Sequence, residues 1–376
     1  MGSPLDVARG LSSAISARAD ETEGARCVPA DLIAQFADAG FLRMYVPTSL
    51  NGPQFDPATA CQVVETLSAA DGSTGWTAFI LNTSFFPVYL EPGVAKAILD
   101  DVPASGMAGL FGPLGKGIPN GDGTLSVDGR WPFNSGSPHA SWFSQGIVVS
   151  GGENPFDWRF AFLPKADVEI LDTWRVAGLR GTASHDVTAT GAIVPEERTV
   201  NPIFTEAPQD APHFRWPFFS LLATLMGGFP LGVARRALDE FENLAITKAR
   251  GGSTALADTE SVAVGVMRAE GAVRAARAYL LDAIGSAWDS ALAGNSLTTD
   301  QRVDLRGAAI NAMRAGIDAV DTVFALAGGG ALYDGSPLQR CWRDIHAGSH
   351  HIFFSADHMQ KVGRVILGRP VDSSVI

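Results

Sequence analysis

The chain has 376 residues, too many for one compact core, so two or three packed subregions are expected. Forty acidic against 28 basic residues give a net charge of −12, which repels nucleic acid and acidic membranes and argues against either as a partner. Hydrophobic residues make up 46% and charged ones only 18%, apolar enough that further subunits are expected to cover part of the surface.

The opening "MGSPLDVARGLSSAISARADETEGAR" turns charged and helical at once, without the apolar run of a secretory signal. Cys27, Cys61 and Cys341 lie far apart and form no CxxC, so neither a disulfide framework nor a zinc finger is expected, and a reducing cytoplasm fits best. "VPADLIAQFADAGFL" carries Pro29 near its start, Leu32, Ile33, Phe36 and Phe41 on a helical period, and Gly40 near its end. With "ATACQVVETLSAAD" and "GWTAFILNTSFFPVYL" as two further helices, residues 1–105 read as an N-terminal helical domain.

Residues 106–212 change to glycine, proline and alternation. In "TLSVDGRWPF", Asp128-Gly129 reads as a hairpin turn between two strands, and "SQGIVVSGG", "WRFAFLPKADVEIL" and "HDVTATGAIVP" extend a small antiparallel β domain. "GLFGPLGKG" has glycines at 109, 112, 115 and 117 but lacks a GK[ST] ending, so a mobile loop is expected rather than a phosphate loop. "GRWPFNSGSPHASW" begins as a strand end and passes at Asn134 into Ser135, Gly136, Ser137, Pro138 and His139, small residues that let a backbone approach a ligand.

Residues 213–376 form long alanine-rich runs: Phe218 to Arg250, Thr259 to Leu292, Asp300 to Leu326, and Leu338 to about Leu367, enough for a four-helix bundle. The apolar run Phe218 to Ala234 falls short of the ~20 residues of a spanning helix and contains Gly227, Gly228 and Pro230, so a buried helix is expected.

GxSxG is absent, so no hydrolase elbow is supported. "RDIHAGSHHIFFSADHMQ" sets His346 and His350 four apart, with His351 and His358 nearby. It lacks the glutamate of HExxH and a second cluster, so no metal site is expected. His351 suits acid or base work at neutral pH, with a satisfied core histidine as the alternative.

"ADLIAQFADAGFLRMYVPTSLNG", "DGSTGW", "GRWPFNSG", "WRVAGLRGTASHDV" and "LAGGGALYDGSPLQRCWRDIHAGSHHIFF" follow one another in a familiar order. In these segments the chain resembles the acyl-CoA dehydrogenase superfamily, in its flavin-dependent monooxygenase branch, the oxygenase components of two-component hydroxylases. The resemblance implies a mainly α protein with a central β domain: N-terminal helices, a β-barrel-like middle domain and a C-terminal four-helix bundle, assembled as a homotetramer. Acyl-CoA dehydrogenases place a catalytic glutamate about eight residues after an Arg-Asp pair. Here Arg343-Asp344 is followed at that place by His351 and Ile352, and His351 matches the spacing of the monooxygenase branch's histidine.

The resemblance further implies a separate reductase that delivers reduced FMN or FAD, and O2 that adds to the flavin as a C4a-hydroperoxide to hydroxylate an aromatic or polycyclic small molecule. Phe133 would pack on the flavin ring region and Ser135 would partner its N5. His351 would deprotonate a phenolic substrate or otherwise steer the proton. Arg180, Thr182, Ser184 and Arg250 are candidates for the ribityl chain or phosphate, while Arg340 and Arg343 are either flavin contacts or structural ion pairs. Several phenol hydroxylases of the branch carry a histidine where this chain has Asn82, Thr83 and Ser84. Substrate binding therefore falls to Trp76, Ser84 and Phe85, with Phe79 and Phe86 in an aromatic pocket. An acyl-CoA dehydrogenase and a flavin-free binding protein of the same fold are the alternatives.

Overall fold

Residues 2–102, 105–151, 154, 156–250 and 254–371 are described by a computed structural model, the side chains of 249, 250 and 254 excepted. The N-terminal part is helical: α1 (Pro4–Ala17), α2 (Ala19–Ala25), α3 (Ala30–Asp38), α4 (Pro57–Ala70), α5 (Gly72–Leu81) and α6 (Pro92–Asp100). Short polar side chains start these helices by accepting orphan backbone N–H groups, as Ser3 does for α1, Asp56 for α4 and Asp71 for α5. The run after Trp76 does not continue as one α-helix. It tightens into a 3-10 segment, Thr83–Tyr89, with Pro87 inside it.

The middle part is one seven-stranded sheet of β1 (Met107–Pro119), β2 (Thr124–Asn134), β3 (Trp142–Val149), β4 (Asp157–Pro164), β5 (Glu169–Leu171), β6 (His185–Pro195) and β7 (Thr199–Val200). Its order is β5-β6-β2-β1-β3-β4-β7, with β1 and β3 parallel and every other pair antiparallel, so the expected all-antiparallel layer carries one parallel pair. Edges β5 and β7 are not paired to each other, which makes the sheet open rather than a closed barrel. "GLFGPLGKG" is strand, not loop, and its glycines serve close packing. A Cβ on Gly115 would lie 2.3 Å from the ring of Trp131, and one on Gly129 2.5 Å from it. The β1–β2 turn lies at residues 120–123. Asp128-Gly129 falls inside β2, at a register shift against β6, with Asp128 accepting the Gly191 N–H.

The C-terminal part contains α7 (Phe218–Thr247), a short hairpin of β8 (Ala249–Arg250) and β9 (Thr254–Ala255), α8 (Glu260–Leu292), α9 (Thr299–Ala327), α10 (Pro337–Ser349) and α11 (Ala356–Ile366). Helix α7 packs along α4 and α9, joining the two helical parts into one core. By length and composition α7 and Thr299–Leu332 could each cross a membrane; the apolar window of α7 is 89% buried within the molecule, as a core helix must be, that of Thr299–Leu332 only 33%. The expected fourth helix breaks at the histidines. His351 turns extended (φ −63°, ψ 139°) and its ring accepts the Phe353 N–H, capping a 3-10 turn, Ile352–Phe354.

Candidate active site

Asp71 caps α5 and sets its first turn, which places Trp76 with its indole inward and 6% exposed. The indole N–H donates to Ser135 Oγ at 3.1 Å. Ser135 follows the end of β2, where Phe133 (φ 64°) and Gly136 (φ 74°) turn the chain out of the ladder, and the Gly136 N–H donates to Thr182 O at 2.7 Å. Left-handed backbone at a phenylalanine is uncommon and costs on the order of 1 kcal/mol, so the surrounding contacts hold this turn in place.

Four hydroxyl contacts then fix their own hydrogens. Thr182 Oγ1 is 2.9 Å from the Leu179 carbonyl, which can only accept, so the threonine O–H points there. Thr182 therefore accepts from Ser184 Oγ at 2.6 Å, and Ser184 accepts from Ser135 Oγ at 2.6 Å. Ser135 has then committed its hydrogen inward and accepts from Trp76. Hydrogen bonds thus run one way, from Trp76 through Ser135, Ser184 and Thr182 to Leu179, and leave Ser135 one free lone pair and no free hydrogen.

The loop that ends this chain is held by α10. Asp344 Oδ1 accepts the Leu179 N–H at 2.6 Å, and a Cβ on Gly178 would lie 2.0 Å from the Arg343 carbonyl oxygen, so only glycine allows the loop so close. Burial, with Asp71 nearby as a second negative charge, pushes the Asp344 carboxyl up to about 7. Leu179 (φ 52°) and Ala183 (φ 46°) are left-handed, and the Gly181 N–H is held by Ser73 Oγ at 3.2 Å.

His351 stands edge-on to Trp76, with ring centroids 5.7 Å apart, so one indole touches both residues expected to be catalytic. Burial, then His358 and Arg306, lowers the imidazole to about 4, so it is neutral at physiological pH. Its Nδ1 accepts the Phe353 N–H at 3.3 Å, which puts the one proton on Nε2. In this tautomer His351 is a hydrogen-bond donor, which differs from the expectation of a base acting on a phenol. Beyond it the Arg306 guanidinium lies 4.2 Å from the centroid of Phe353, and its Nη1 is 3.4 Å from His358 Nδ1.

Other expected residues take different places. Phe133 is 61% exposed and meets Trp174 edge-on at 6.2 Å, an open aromatic surface beside Ser135. Thr182 and Ser184 are buried and use their hydroxyls on the Ser135 chain, not on an external phosphate. Ser84 donates to Leu42 O at 2.5 Å, and Phe85 packs with Tyr45, Phe86 and Phe218; both are fully buried core residues, not pocket lining. Phe79 and Phe86 are likewise core.

Arg180 is half-exposed and faces a cavity of about 570 Å³ shared with Glu23, Arg340 and Arg343. In that cavity Arg340 and Arg343 bind Glu23 at 2.8 and 2.6 Å, and Arg340 also binds Asp20, so both are ion-paired. Burial raises the Glu23 carboxyl, but the hydrogen bonds from Arg343 and Arg340 outweigh it and hold the group below its usual range. The side chain of Arg250 lies outside the described residues. Among the described residues no three metal-ligating groups gather, and His346 is bonded to Asp321 at 2.9 Å.

Sequence reasoning missed Arg306 and the part played by Asp344. Arg306 sits on the apolar stripe of α9 with Val303, Ile310 and Met313, three and four residues apart, and a charge on such a stripe was the available sign.

Models of the acyl-CoA dehydrogenase N-terminal and C-terminal domains match residues 6–93 and 224–356. The indole-3-acetate monooxygenase of Pseudomonas putida is 33% identical over 94% of this chain and 90% of its own length. The chain belongs to the flavin-dependent monooxygenases of the acyl-CoA dehydrogenase superfamily. An oxygenase subunit of that kind, HsaA of Rhodococcus jostii, is 30% identical over 89% of this monooxygenase and 90% of its own chain. The crystal structure of the 3-HSA hydroxylase from Rhodococcus sp. RHA1 superposes with a TM-score of 0.93 at 27% identity, covering 100% of this chain and 99% of that one. Of the three readings left open by the sequence, the oxygenase stands. HsaA is named as an oxygenase subunit, and a further relative, the FADH2-dependent resorcinol hydroxylase of a Rhizobium species, as an oxygenase component.

Proposed function

We propose that this monooxygenase hydroxylates an aromatic small molecule at the Ser135–Trp76–His351 cluster, with reduced FMN or FAD seated against Ser135 and Phe133. The observation that carries this is the one-way hydrogen-bond chain ending on Ser135. A serine with its hydrogen turned inward accepts, and N5 of a reduced flavin bears a hydrogen to donate, whereas N5 of an oxidised flavin does not. The open faces of Phe133 and Trp174 beside it fit a flat ring.

When bound, reduced flavin supplies the electrons that activate O2. The chain's own residues do the rest. With flavin bound, Ser135 would accept from its N5 hydrogen, Trp76 fixes Ser135 by its indole N–H and would exclude water, and His351 would donate from Nε2 to the substrate. Arg180, half-exposed and 3.9 Å from Glu23, is the most weakly held of the three arginines on that carboxylate and would be the one to meet a cofactor phosphate.

The relatives' names favour aromatic substrates, among them indole-3-acetate and resorcinol. Association with further copies of the chain, in the expected homotetramer, fits the Thr299–Leu332 helix, whose apolar window is only one-third buried, and exposed Leu332, Tyr333, Ile352, Ile366 and Leu367 nearby in sequence. The test is product formation from an aromatic panel with a flavin reductase, NADH and O2, alongside the ratio of peroxide to product. His351→Ala that keeps flavin binding and loses product supports the assignment; equal, small effects of His351→Ala and Ser135→Ala overturn it.

A further inference from the structure

Arg306 is a buried cation with no carboxylate. It is 2% exposed, on the interior face of α9, and among the described residues no acid lies within ion-pair distance of it. Its Nε and Nη2 meet no acceptor, and Nη1 has only His358 Nδ1 at 3.4 Å. The two histidines point the same way chemically. His358 uses Nδ1 to accept from Arg306 and His351 uses Nδ1 to accept from Phe353, so each keeps its proton on Nε2, and neither Nε2 has a protein acceptor among the described residues. Asp357, the carboxylate that acts on His358, is bonded to Lys361 at 2.8 Å. An unpaired buried guanidinium is costly to hold, and two of its nitrogens, Nε and Nη2, are buried without an acceptor.

We infer that Arg306 and His358, beside His351, form the receiving site for an acidic group on the aromatic substrate, a carboxylate in the simplest case. This rests on the reading of the cluster as the hydroxylation site. The order of contacts supports substrate over cofactor. Ser135 touches Trp76, Trp76 touches His351, and His351 touches Phe353, which covers Arg306; the cation is thus separated from the proposed N5 contact by three intervening side chains along this path. Phe353 and Phe219 lie over the guanidinium; Phe353 belongs to the short 3-10 turn between α10 and α11, next to exposed Ile352, and the inference requires its ring to move aside for a ligand. The planar guanidinium takes a carboxylate bidentately, the geometry that its free Nε and Nη2 present.

The test is binding, read by quenching of tryptophan fluorescence and by calorimetry, of indole-3-acetate, phenylacetate and benzoate against their primary amides, which have the same shape without the charge. A charge-assisted pair predicts about 10- to 150-fold tighter binding of at least one acid than of its amide. Arg306→Met, which fills the space and stacks on Phe353, removes that preference, leaves the amide's affinity in place and leaves thermal stability unchanged or higher, because an unpartnered buried charge is gone. Arg306→Lys keeps part of the preference and covers the case of a poorly folded methionine variant. No acid binding better than its amide, or a preference that survives in Arg306→Met, overturns the inference. So does inorganic phosphate that competes with the acids and loses binding in Arg306→Met, which would assign the cluster to a cofactor phosphate. Hydroxylation of an amide at the rate of its acid would leave the hydroxylase reading standing and sink only the acid site.

Discussion

Thr182→Val tests the direction of the hydrogen-bond chain. Valine is close to threonine in shape but neither donates to Leu179 nor accepts from Ser184. Leu179 O keeps the Trp174 indole N–H at 2.9 Å, so the carbonyl is not orphaned and the fold should tolerate the change. The Ser184 O–H, without an acceptor at 182, turns towards Ser135. Ser135 then accepts from both Trp76 and Ser184, and its own hydrogen swings out towards the flavin site. The residue changes from acceptor to donor without being touched. A reduced flavin loses a bond at N5 and an oxidised flavin gains one, each worth about 0.5–1.5 kcal/mol. The ratio of the two dissociation constants should therefore shift towards oxidised flavin by about 5- to 150-fold, or about 20–65 mV in the two-electron potential of the bound flavin. Anaerobic titration of reduced flavin and fluorescence titration of oxidised flavin give both constants, and Thr182→Ser, which keeps the chain, should match the wild type. A ratio unchanged within twofold in Thr182→Val would refute the assigned direction.

Three further outcomes follow from the same geometry. His351 is lowered from 6.5 to about 4, so its native contribution is present above pH 6.5 and is lost as pH falls through 4, about 3 kcal/mol from this residue alone; an imidazole NMR titration of the ligand-free protein that puts it near 6.5 would contradict its burial beside Arg306. Asp344 is shifted the other way, raised from 3.8 to about 7, so its contribution is present below 3.8 and is lost as pH rises through 7. Asp344→Asn keeps an acceptor for the Leu179 N–H and should flatten urea-denaturation midpoints across that window, whereas Asp344→Ala should cost about 1–3 kcal/mol at every pH by orphaning that N–H. Glu23→Gln should cost about 2 kcal/mol, less than the ~3–5 kcal/mol of a fully buried pair, since Arg340 keeps Asp20 and Arg343 keeps Ala177 O; no change in denaturant midpoint would mean that the ion pairs are held by the helices alone.

Elements with one dominant period were legible. The helices α4, α7, α8 and α9 follow from their long apolar and alanine-rich runs, with side-chain caps at α4 and α9, and β4 from alternation. Harder were segments in which a local preference yields to a distant partner. Asp128-Gly129 has the chemistry of a turn, but the ring of Trp131 needs the space above Gly129, so the strand runs through and bulges. Glycines 109 to 117 look like a loop until the same ring is placed over Gly115. His350 and His351 interrupt a helix whose alanine and charge pattern runs on past them, because a ring nitrogen caps the next turn. Within the site, residue type alone marked the strand end at Ser135 and the imidazole of His351, and their specific roles came only from the resemblance. Thr182 and Ser184 were picked as phosphate contacts on residue type; what a hydroxyl does depends on which carbonyl lies 2.9 Å away, and that is a tertiary fact.

The site draws on four segments, around residues 76, 135, 182 and 351, and the tie between them is Leu179. Its N–H is held by Asp344 on α10, the helix that ends at Ser349 just before His351, and its carbonyl is the final acceptor for the hydroxyls that orient Ser135. The same peptide therefore links the helix that positions the proposed donor to the chain that sets the polarity of the proposed N5 partner. A shift of α10 moves the Leu179 carbonyl and loosens Thr182. A loosened Thr182 lets the hydroxyls reverse. Occupation of the Arg306 cluster, at the turn between α10 and α11, would pull on that helix end, so binding of an acidic substrate would reach Ser135 through Leu179 as well as through Trp76. Such coupling would make retention of the N5 hydrogen depend on bound substrate, and the peroxide lost per turnover would fall when an acid fills the site and stay high in Arg306→Met.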